Sequence, residues 1–263
     1  MTILTASTTN EASVRPVLRL GLLGVGNVGQ GVIDVLTRNG GEIERRAGQA
    51  IRVVAASRRN VAALKALADA GVRTTDDPGA VVRDPEVDVV VELIGGTTLA
   101  KQLVLEAISL GKHVVTANKA LLAEHGTEIF AAAQKAGVIV AFEAAVAGGI
   151  PIIKALREGL TANHIEWVAG IINGTTNFIL SEMRDKGLDF DTVLKEAQRL
   201  GYAEADPTFD IEGVDAAHKA TLMSAIAFGI RVQFDKAYIE GITHLESKDI
   251  TYAEQMGYRI KLL

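Results

Sequence analysis

The sequence contains no cysteine among its 263 residues. This absence excludes disulfide frameworks, thiolate zinc sites and every mechanism that uses a cysteine nucleophile. It also fits a reducing compartment, so a cytoplasmic location is expected. Basic charge is not in excess either, because 27 lysines and arginines stand against 32 aspartates and glutamates, a net charge of −5. A protein that neutralises a nucleic-acid backbone needs a basic surplus, so no nucleic-acid partner is expected.

Long apolar runs are missing as well. The longest uncharged stretches, such as residues 167–181, are interrupted by polar residues, and none reaches the roughly 20 apolar residues that a membrane span needs. No membrane association is therefore expected. Residues 1–15 lack the basic start and apolar centre of a signal peptide and are expected to form a flexible tail. The composition, 48% hydrophobic and 22% charged, is typical of a folded globular protein.

Short apolar runs alternate with helical patterns through the first half of the chain. Continuous apolar runs predict buried strands, and apolar residues three or four apart predict helices. The strands are expected at 17–23, 51–57, 87–94, 113–116 and 138–142, and the helices at 27–37, 61–70, 78–83, 99–110 and 120–136. Strands separated by helices predict the α/β class, with a Rossmann-type, doubly wound parallel sheet.

The pattern changes at residues 147–151, where small residues and a proline follow one another. Beyond this point the sequence predicts a helix that starts at Pro151, a strand over 165–172, and helices over 176–186, 190–200 and 214–230. This mixture predicts a smaller α+β domain after the parallel sheet. With a boundary placed near 143–151, the chain divides into a tail (1–15), a first domain (16–147) and a second domain (148–263).

A glycine-rich loop lies between the first predicted strand and the first predicted helix. Gly24-Val25-Gly26-Asn27-Val28-Gly29 has the spacing G-x-G-x-x-G. Gly24 permits a tight turn, Gly26 lets the backbone approach a pyrophosphate, and Gly29 lets the helix pack closely on the strand. The helix N-terminus adds free N–H groups and the positive end of its dipole. A glycine-rich turn without a ligand is the alternative, but the strand–loop–helix context favours dinucleotide binding.

The second predicted strand ends in Ser57, Arg58 and Arg59. Sites that prefer NAD usually offer an aspartate or glutamate at this place, next to the adenosine ribose. A hydroxyl and two guanidinium groups suit a 2′-phosphate better, because arginine binds phosphate through two N–H groups at once. NADP(H) is therefore the predicted cofactor, with NAD(H) still possible. The alternative is that both arginines are solvated at a helix start.

Residues 201–219 concentrate acidic side chains and end in a lysine. The carboxylates are Glu204, Asp206, Asp210, Glu212 and Asp215. Their mutual repulsion favours a cationic group nearby, and a cationic part of a substrate would serve. Asp215 and Lys219 share one face of a predicted helix that continues without charge, which suggests that both side chains point into a cleft. An ordinary ion pair on a helix surface is the equally open alternative.

Three further segments carry both a chemical and a structural interpretation. Lys119 follows a predicted strand at the sheet edge where α/β proteins bind ligands, although it could equally be a surface lysine. Glu143 precedes small residues up to Ile150 whose carbonyls could hold a hard cation, but the residues alone favour a flexible hinge. Asn173-Gly174-Thr175-Thr176-Asn177 could be a helix cap and nothing more. The five histidines show no metal-binding spacing.

Taken in order, these segments resemble homoserine dehydrogenase. The family carries the glycine loop, Thr116–Lys119, Glu143–Pro151, Asn173–Asn177 and Gly201–Lys219, of which the last is its most specific signature. The resemblance covers nearly the whole chain after residue 15. It implies an enzyme that interconverts L-homoserine and L-aspartate 4-semialdehyde with NAD(P), on the route to threonine, isoleucine and methionine.

The resemblance also implies roles for individual residues. Lys219 matches the proton-donating lysine, and Asp215 matches the carboxylate beside it. The expected substrate-binding residues are Glu204, Asp210, Lys119, Thr175 and Tyr202. The expected cofactor-binding residues are Gly24, Gly26, Asn27, Val28, Gly29, Ser57, Arg58, Thr97, Lys119 and Gly201. A sodium ion is expected at Glu143, Val146, Gly148 and Ile150, the last three through backbone carbonyls, and this replaces the hinge interpretation.

With the family in view, residues 16–147 become an NAD(P)-binding domain and 148–263 a substrate-binding and dimerisation domain. A homodimer or homotetramer is expected, and the predicted strand at 165–172 is a candidate for a sheet shared between subunits. Because family members continue further, the second domain is expected to be C-terminally truncated. Two other functions stay open: a catalytically silent NADP-binding fragment, and a two-domain dehydrogenase for sugars or imines, which would not need residues 201–219.

Overall fold

A computed structural model describes residues 17–263. The expected flexible tail therefore lies outside the described residues. The chain separates into two compact units, the first ending at Ile94 and the second spanning Gly95–Leu263. The domain boundary expected near residues 143–151 stays a prediction.

The first unit is a parallel sheet joined by helices. The strands β1 (Val17–Leu23), β2 (Ala50–Ser57), β3 (Arg73–Thr75) and β4 (Val89–Glu92) lie in the order β3-β2-β1-β4. The connections are α1 (Asn27–Ala47), a 3-10 turn (Val61–Leu64) that leads into α2 (Lys65–Asp69), and α3 (Pro78–Arg83). In the parallel register, Leu22 lies opposite Ala56 on one side and Val91 on the other. These pairings confirm the predicted Rossmann-type sheet.

The apolar sequence of β1 reflects its central position, because a strand covered on both faces has no need to alternate polar and apolar residues. Leu22 and Leu23 are completely buried. α1 continues ten residues beyond its predicted end at 37. Gly40 and Gly41 lie within the helix, and Gly48 ends it in the left-handed conformation. Ion pairs from Glu42 to Arg45 and Arg46 link successive turns of this added part.

The second unit is mostly helical. Its short strands β5 (His113–Thr116) and β6 (Val140–Ala141) pair in parallel, with Val114 opposite Val140. The helices are α4 (Thr98–Ser109), α5 (Lys119–Ala136), α6 (Glu143–Val146), α7 (Ile152–Lys154, followed by a π-helical turn Ala155–Gly159), α8 (Gly174–Lys186), α9 (Phe190–Arg199), α10 (Thr208–Ile211), α11 (Val214–Ala227) and α12 (Ser247–Gln255). A 3-10 turn spans Phe234–Lys236. Across residues 17–263, none of the helices combines the length and the apolarity that a membrane crossing demands.

Side-chain caps explain where several of these helices begin. Asn118, Asn173 and Asp189 each accept a hydrogen bond from a backbone N–H in the first turn of α5, α8 and α9, respectively. Such a bond satisfies a donor that the helix itself leaves without a partner. Gly137 and Gly187 then end α5 and α8 in the left-handed conformation.

The predicted strand at 165–172 is wrong. This segment is irregular in the structure, and it does not pair with any strand of the described chain. An apolar, β-branched run alone cannot form a strand, since the strand exists only through its partner. The sequence prediction also missed α12, although Glu246 and Asp249 form a reciprocal capping box at its start.

Candidate functional site

The glycine-rich loop of the first unit forms a tight βα turn. Gly24 has a φ of +91°, and a Cβ placed on it would lie 2.9 Å from the carbonyl oxygen of Leu93. A Cβ on Gly29 would lie 2.5 Å from the carbonyl oxygen of Gly24, so only glycine lets α1 approach the turn this closely. Gly26, in contrast, has nothing within 4 Å of its Cβ position. The loop thus presents an open stretch of backbone at the start of a helix, which suits a dinucleotide phosphate.

The end of β2 lies beside this turn. The backbone N–H of Gly24 donates to the carbonyl of Ser57, and the N–H of Arg58 donates to the carbonyl of Thr75. Ser57 is buried and its hydroxyl donates to the carbonyl of Leu22. Arg58 and Arg59 are exposed. The backbone at the strand end is therefore fixed while the guanidinium groups stay accessible to an anion.

In the second unit, one carboxylate lies between two lysines. Lys219 Nζ is 2.6 Å from Asp215 Oδ2 and also donates to the carbonyl of Ile172 at 2.9 Å. Lys119 Nζ, from the first turn of α5, is 3.1 Å from Asp215 Oδ1. The Asp215 side chain is only 6% exposed and that of Lys219 18%. This burial distinguishes the pair from an ion pair on a helix surface, which was the alternative interpretation.

Asp215 stays ionised although it is buried. Burial by itself raises the pKa of Asp215, but the hydrogen bonds from Lys219 and Asn173 and the positive charges of Lys219 and Lys119 together lower it below its ordinary value. The carboxylate therefore remains negative throughout the physiological pH range. A stable negative charge here keeps the amine of Lys219 in one place.

Sequence reasoning assigned Asn173 no role of its own at the site, because the segment 173–177 was considered only as a helix cap and as one of the segments shared with the family. Its Nδ2 donates to Asp210 Oδ1 at 2.7 Å and to Asp215 Oδ2 at 2.9 Å, while its Oδ1 caps α8. Asn173 is buried. No local pattern reveals these contacts, since Asp215 is 42 positions away in the sequence.

A cavity of about 570 Å³ opens beside this cluster. Six predicted site residues line it: Thr175, Gly201, Tyr202, Asp210, Asp215 and Lys219. The Thr175 hydroxyl donates to the carbonyl of Tyr202, which fixes the 201–202 turn against the start of α8. Glu204 is exposed and does not belong to the lining. Thr97 lies at the start of α4, also outside the lining.

The predicted sodium ligands lie around α6 and α7. Glu143 Oε1 and Oε2 accept the backbone N–H groups of Ile153 and Lys154, so this carboxylate caps α7. Val146 is buried, and Ile150 is exposed. Within the described residues, no three His, Cys, Asp or Glu side chains come together as metal ligands. A carboxylate that accepts two hydrogen bonds still has lone pairs free for a cation.

Next to Lys219 on α11, His218 is buried between two aromatic rings. Its ring centroid is 4.4 Å from that of Phe234 and 5.7 Å from that of Phe209. Its Nδ1 is buried without a hydrogen-bond partner. Burial and the nearby charge of Lys119 lower the pKa of His218, against the opposing effects of Glu124 and Asp215, so the ring is neutral. A neutral ring packs between aromatic side chains without a charge to desolvate.

Comparison with known proteins relates both halves of the chain to one family. Residues 24–143 match a family model described as the NAD-binding domain of homoserine dehydrogenase, and residues 151–263 match one described as homoserine dehydrogenase. A homoserine dehydrogenase of Pseudomonas aeruginosa is 63% identical over 253 residues, which cover 95% of this chain and 57% of that protein. The chain thus spans little more than half the length of this relative.

Solved structures agree with the sequence matches. The crystal structure of a homoserine dehydrogenase from Thiobacillus denitrificans superposes with a TM-score of 0.89 and 68% identity, over 93% of this chain and 57% of that one. A structure from Archaeoglobus fulgidus, provisionally described as a homoserine dehydrogenase, superposes with a TM-score of 0.81 and 33% identity, over 93% of this chain and 78% of that one. The similarity therefore extends to a protein of which this chain covers the larger part.

Proposed function

The chain belongs to the homoserine dehydrogenase family, and from this premise we propose that it interconverts L-homoserine and L-aspartate 4-semialdehyde by hydride transfer with NADP(H). This reaction is a step toward threonine, isoleucine and methionine, and we place it in the cytoplasm. One observation carries the proposal: Lys219 lines a cavity while a buried carboxylate holds its amine at 2.6 Å. A positioned proton donor beside a substrate-sized space is what reduction of a carbonyl group needs.

When bound, the nicotinamide supplies the hydride to the aldehyde carbon or takes it from the alcohol. Lys219 donates a proton from Nζ to the carbonyl oxygen during reduction, since negative charge grows there. In the oxidising direction, its neutral amine accepts the hydroxyl proton. Asp215 holds Nζ in place and keeps its negative charge throughout. Lys119, on the other oxygen of Asp215, offsets that charge when Lys219 has given up its proton.

Polar groups of the cavity wall hold the amino-acid part of the substrate. Asp210 lines the cavity and is the first partner for the α-ammonium group, with Glu204 as a second loop carboxylate for the same role. Thr175 and Tyr202 complete the wall. The loop residues Gly24, Gly26, Asn27, Val28 and Gly29 would hold the cofactor phosphates, and Thr97, Lys119 and Gly201 would contact the remaining cofactor. Ser57 and Arg58 would hold a 2′-phosphate, which is the basis for preferring NADP(H) over NAD(H).

A sodium ion is proposed at the turn between α6 and α7. The donors would be the remaining lone pairs of Glu143 and the carbonyls of Val146, Gly148 and Ile150, a set of oxygen ligands that suits a hard cation. The ion would stabilise the turn that leads into α7. Added NaCl is therefore expected to raise the melting temperature relative to equal choline chloride, and Glu143→Gln should remove this difference.

We assign a homodimer or homotetramer to the protein. Trp167 and Ile171 in the segment 165–172 are 73% and 54% exposed, which supports contact with a second subunit through this segment. Sedimentation velocity on the parent and on Trp167→Glu tests this assignment. Dissociation of the variant into monomers is expected, and a parent that sediments as a monomer contradicts the assignment.

The central experiment follows NADPH absorbance with the 263-residue protein and either homoserine plus NADP⁺ or aspartate semialdehyde plus NADPH. Lys219→Met is expected to lower kcat about 10²–10⁴-fold while NADPH affinity, measured by fluorescence titration, stays unchanged. Lys65→Met is the matched control, because Lys65 also pairs with an aspartate four residues away, but on the surface. Turnover of a sugar or imine panel instead of homoserine, or NADPH binding without any turnover, contradicts the proposed function.

A further inference from the structure

Asn173 connects the two carboxylates of the cavity wall through a single amide group. The two hydrogens on Nδ2 point to Asp210 Oδ1, 2.7 Å away on α10, and to Asp215 Oδ2, 2.9 Å away on α11. Asn173 is 3% exposed, so water does not compete for these bonds. The bridge therefore fixes the separation of two carboxylates that would otherwise repel each other.

The orientation of this amide is set by its other end. Asn173 Oδ1 accepts the backbone N–H of Thr176 at 2.9 Å and the Thr176 hydroxyl at 2.7 Å. A backbone N–H can only donate, so the oxygen must face α8 and the NH₂ group must face the carboxylates. With two bonds accepted and two donated, the amide uses its ordinary hydrogen-bonding capacity in full. A flipped amide would lose the bond from the Thr176 N–H and both bonds to the carboxylates.

Capping alone does not require an amide at this position. Asp189 caps α9 with the same pair of bonds, from the N–H and the hydroxyl of Thr192, and it is exposed. Aspartate and asparagine are about equally good N-caps. What an aspartate at position 173 could not do is donate to Asp210 and Asp215. The amide is therefore explained by the two carboxylates and not by the helix.

We propose that Asn173 is a positioning residue for the reaction, which holds Asp210 and Asp215 in their working geometry and thereby keeps Asp215 aligned on Lys219. The inference rests on the proposed function. Among the residues that the structure describes, the charged or titratable neighbours of this pair include Lys119 from α5, His218 and Lys219 from α11, and Tyr202 of the cavity wall. Among these neighbours Asn173 is a neutral donor, so it stabilises two negative charges without adding a positive charge that would compete with Lys219.

Asn173→Asp tests the proposal because it preserves the oxygen that caps α8 and replaces the NH₂ group, which donates to the two carboxylates, by an oxygen that can only accept. The variant places a third carboxylate against the pair, so the site must take up a proton at higher pH than in the parent. We expect kcat to fall at least tenfold and the acid limb of the kcat/KM profile to move up by about one pH unit or more. NADPH affinity and the far-UV circular dichroism spectrum should stay as in the parent. Asn173→Ser keeps a capping oxygen but cannot reach the carboxylates, so it should lower kcat with a smaller shift of the acid limb.

Asp189→Asn is the matched control, since it exchanges the same two residue types at an exposed cap; its pH profile should not change. A parent-like profile and kcat for Asn173→Asp would overturn the proposal. So would losses of activity in both variants that merely follow their losses of thermal stability. Titration of the aspartate carboxyl carbons by ¹³C NMR, without substrate, tests the positioning role of Asn173 separately from the proposed function. If homoserine is not turned over but Asn173→Asp still raises the pKa of Asp215, only the proposed function has failed.

Discussion

The glycine-rich turn of the first unit and the lysine–carboxylate cluster of the second are two different kinds of candidate binding site. The turn works through backbone: Gly24 and Gly29 are required by close contacts, and Gly26 leaves space for a ligand. The cluster works through side chains that come from α5, α10, α11 and the start of α8. A backbone site depends on which side chains are missing from a few adjacent positions, whereas a side-chain site depends on distant residues meeting. The first kind is therefore readable from local sequence, and the second kind is readable only in part.

The largest effect is expected at the centre of the side-chain site. Asp215→Asn leaves Lys119 and Lys219 facing each other without the negative charge between them. We expect kcat to fall about 10²–10⁴-fold, and the free energy of unfolding to fall by about 3 kcal/mol, as for a broken buried ion pair. Asp69→Asn removes the anion of an exposed pair with the same spacing and should cost at most about 0.5 kcal/mol. Equal effects of the two substitutions in urea titrations would remove the distinction between the sites.

The backbone site can be divided by three glycine-to-alanine substitutions. Gly29→Ala forces a Cβ to 2.5 Å from the Gly24 carbonyl, so both stability and NADPH affinity should fall. Gly26→Ala meets nothing in the protein, so NADPH affinity should fall tenfold or more while the melting temperature holds. Gly31→Ala, in α1 and equally unobstructed, is the control and should stabilise the helix by about 0.5–1 kcal/mol. Unchanged affinity in Gly26→Ala would show that no phosphate approaches this loop.

The preference between NADPH and NADH tests whether the side chain of Arg58, next to the glycine-rich turn, also binds the cofactor. Arg58→Ala removes a guanidinium group that would pair with the 2′-phosphate. The Kd for NADPH is expected to rise about tenfold, because one charge-assisted hydrogen bond is lost. The Kd for NADH should stay within twofold of the parent value. Arg46→Ala is an exposed control at the end of α1. A parent protein that binds NADH more tightly than NADPH refutes the preference assigned to Ser57 and Arg58.

The smallest effect concerns His218, behind the cluster. Because burial lowers its pKa below the ordinary 6.5, the unfolded chain binds a proton before the folded protein does. The free energy of unfolding therefore decreases as the pH falls below about 6.5. His218→Phe should flatten this dependence between pH 7.5 and 5.5 in urea titrations. His164→Phe, at an exposed position, should leave it as in the parent. If the free energy of unfolding depends more steeply on pH in His218→Phe than in the parent, the prediction for a buried, neutral histidine is wrong.

Prediction from sequence was most accurate where the contacts that determine the structure join residues close together in the sequence. The predicted strand at 17–23 and the predicted helix at 78–83 coincide with β1 and α3, and both patterns depend on residues only a few positions apart. The segment 165–172 shows the opposite case, because its apolar pattern says nothing about whether a strand lies beside it. Family resemblance led to the expectation that Glu204 binds the substrate; in the structure Glu204 is exposed, and among the carboxylates between residues 201 and 213 only Asp210 lines the cavity. The direction in which each carboxylate of a loop points depends on tertiary packing, which no local sequence pattern encodes.

By itself, the sequence determined the parallel α/β sheet, the glycine-rich βα turn, and the pairing of Asp215 with Lys219, since periodicity, glycine spacing and an i,i+4 relation are local properties. Only the tertiary structure decided that this pair is buried, that Lys119 occupies the second oxygen of Asp215, and that Asn173 ties Asp215 to Asp210. Asn173 and Asp215 are 42 positions apart in the sequence, and Lys119 and Asp215 are separated by more than twice that distance along the chain. These contacts form because helix packing removes the groups from water, where each would otherwise find its hydrogen bonds.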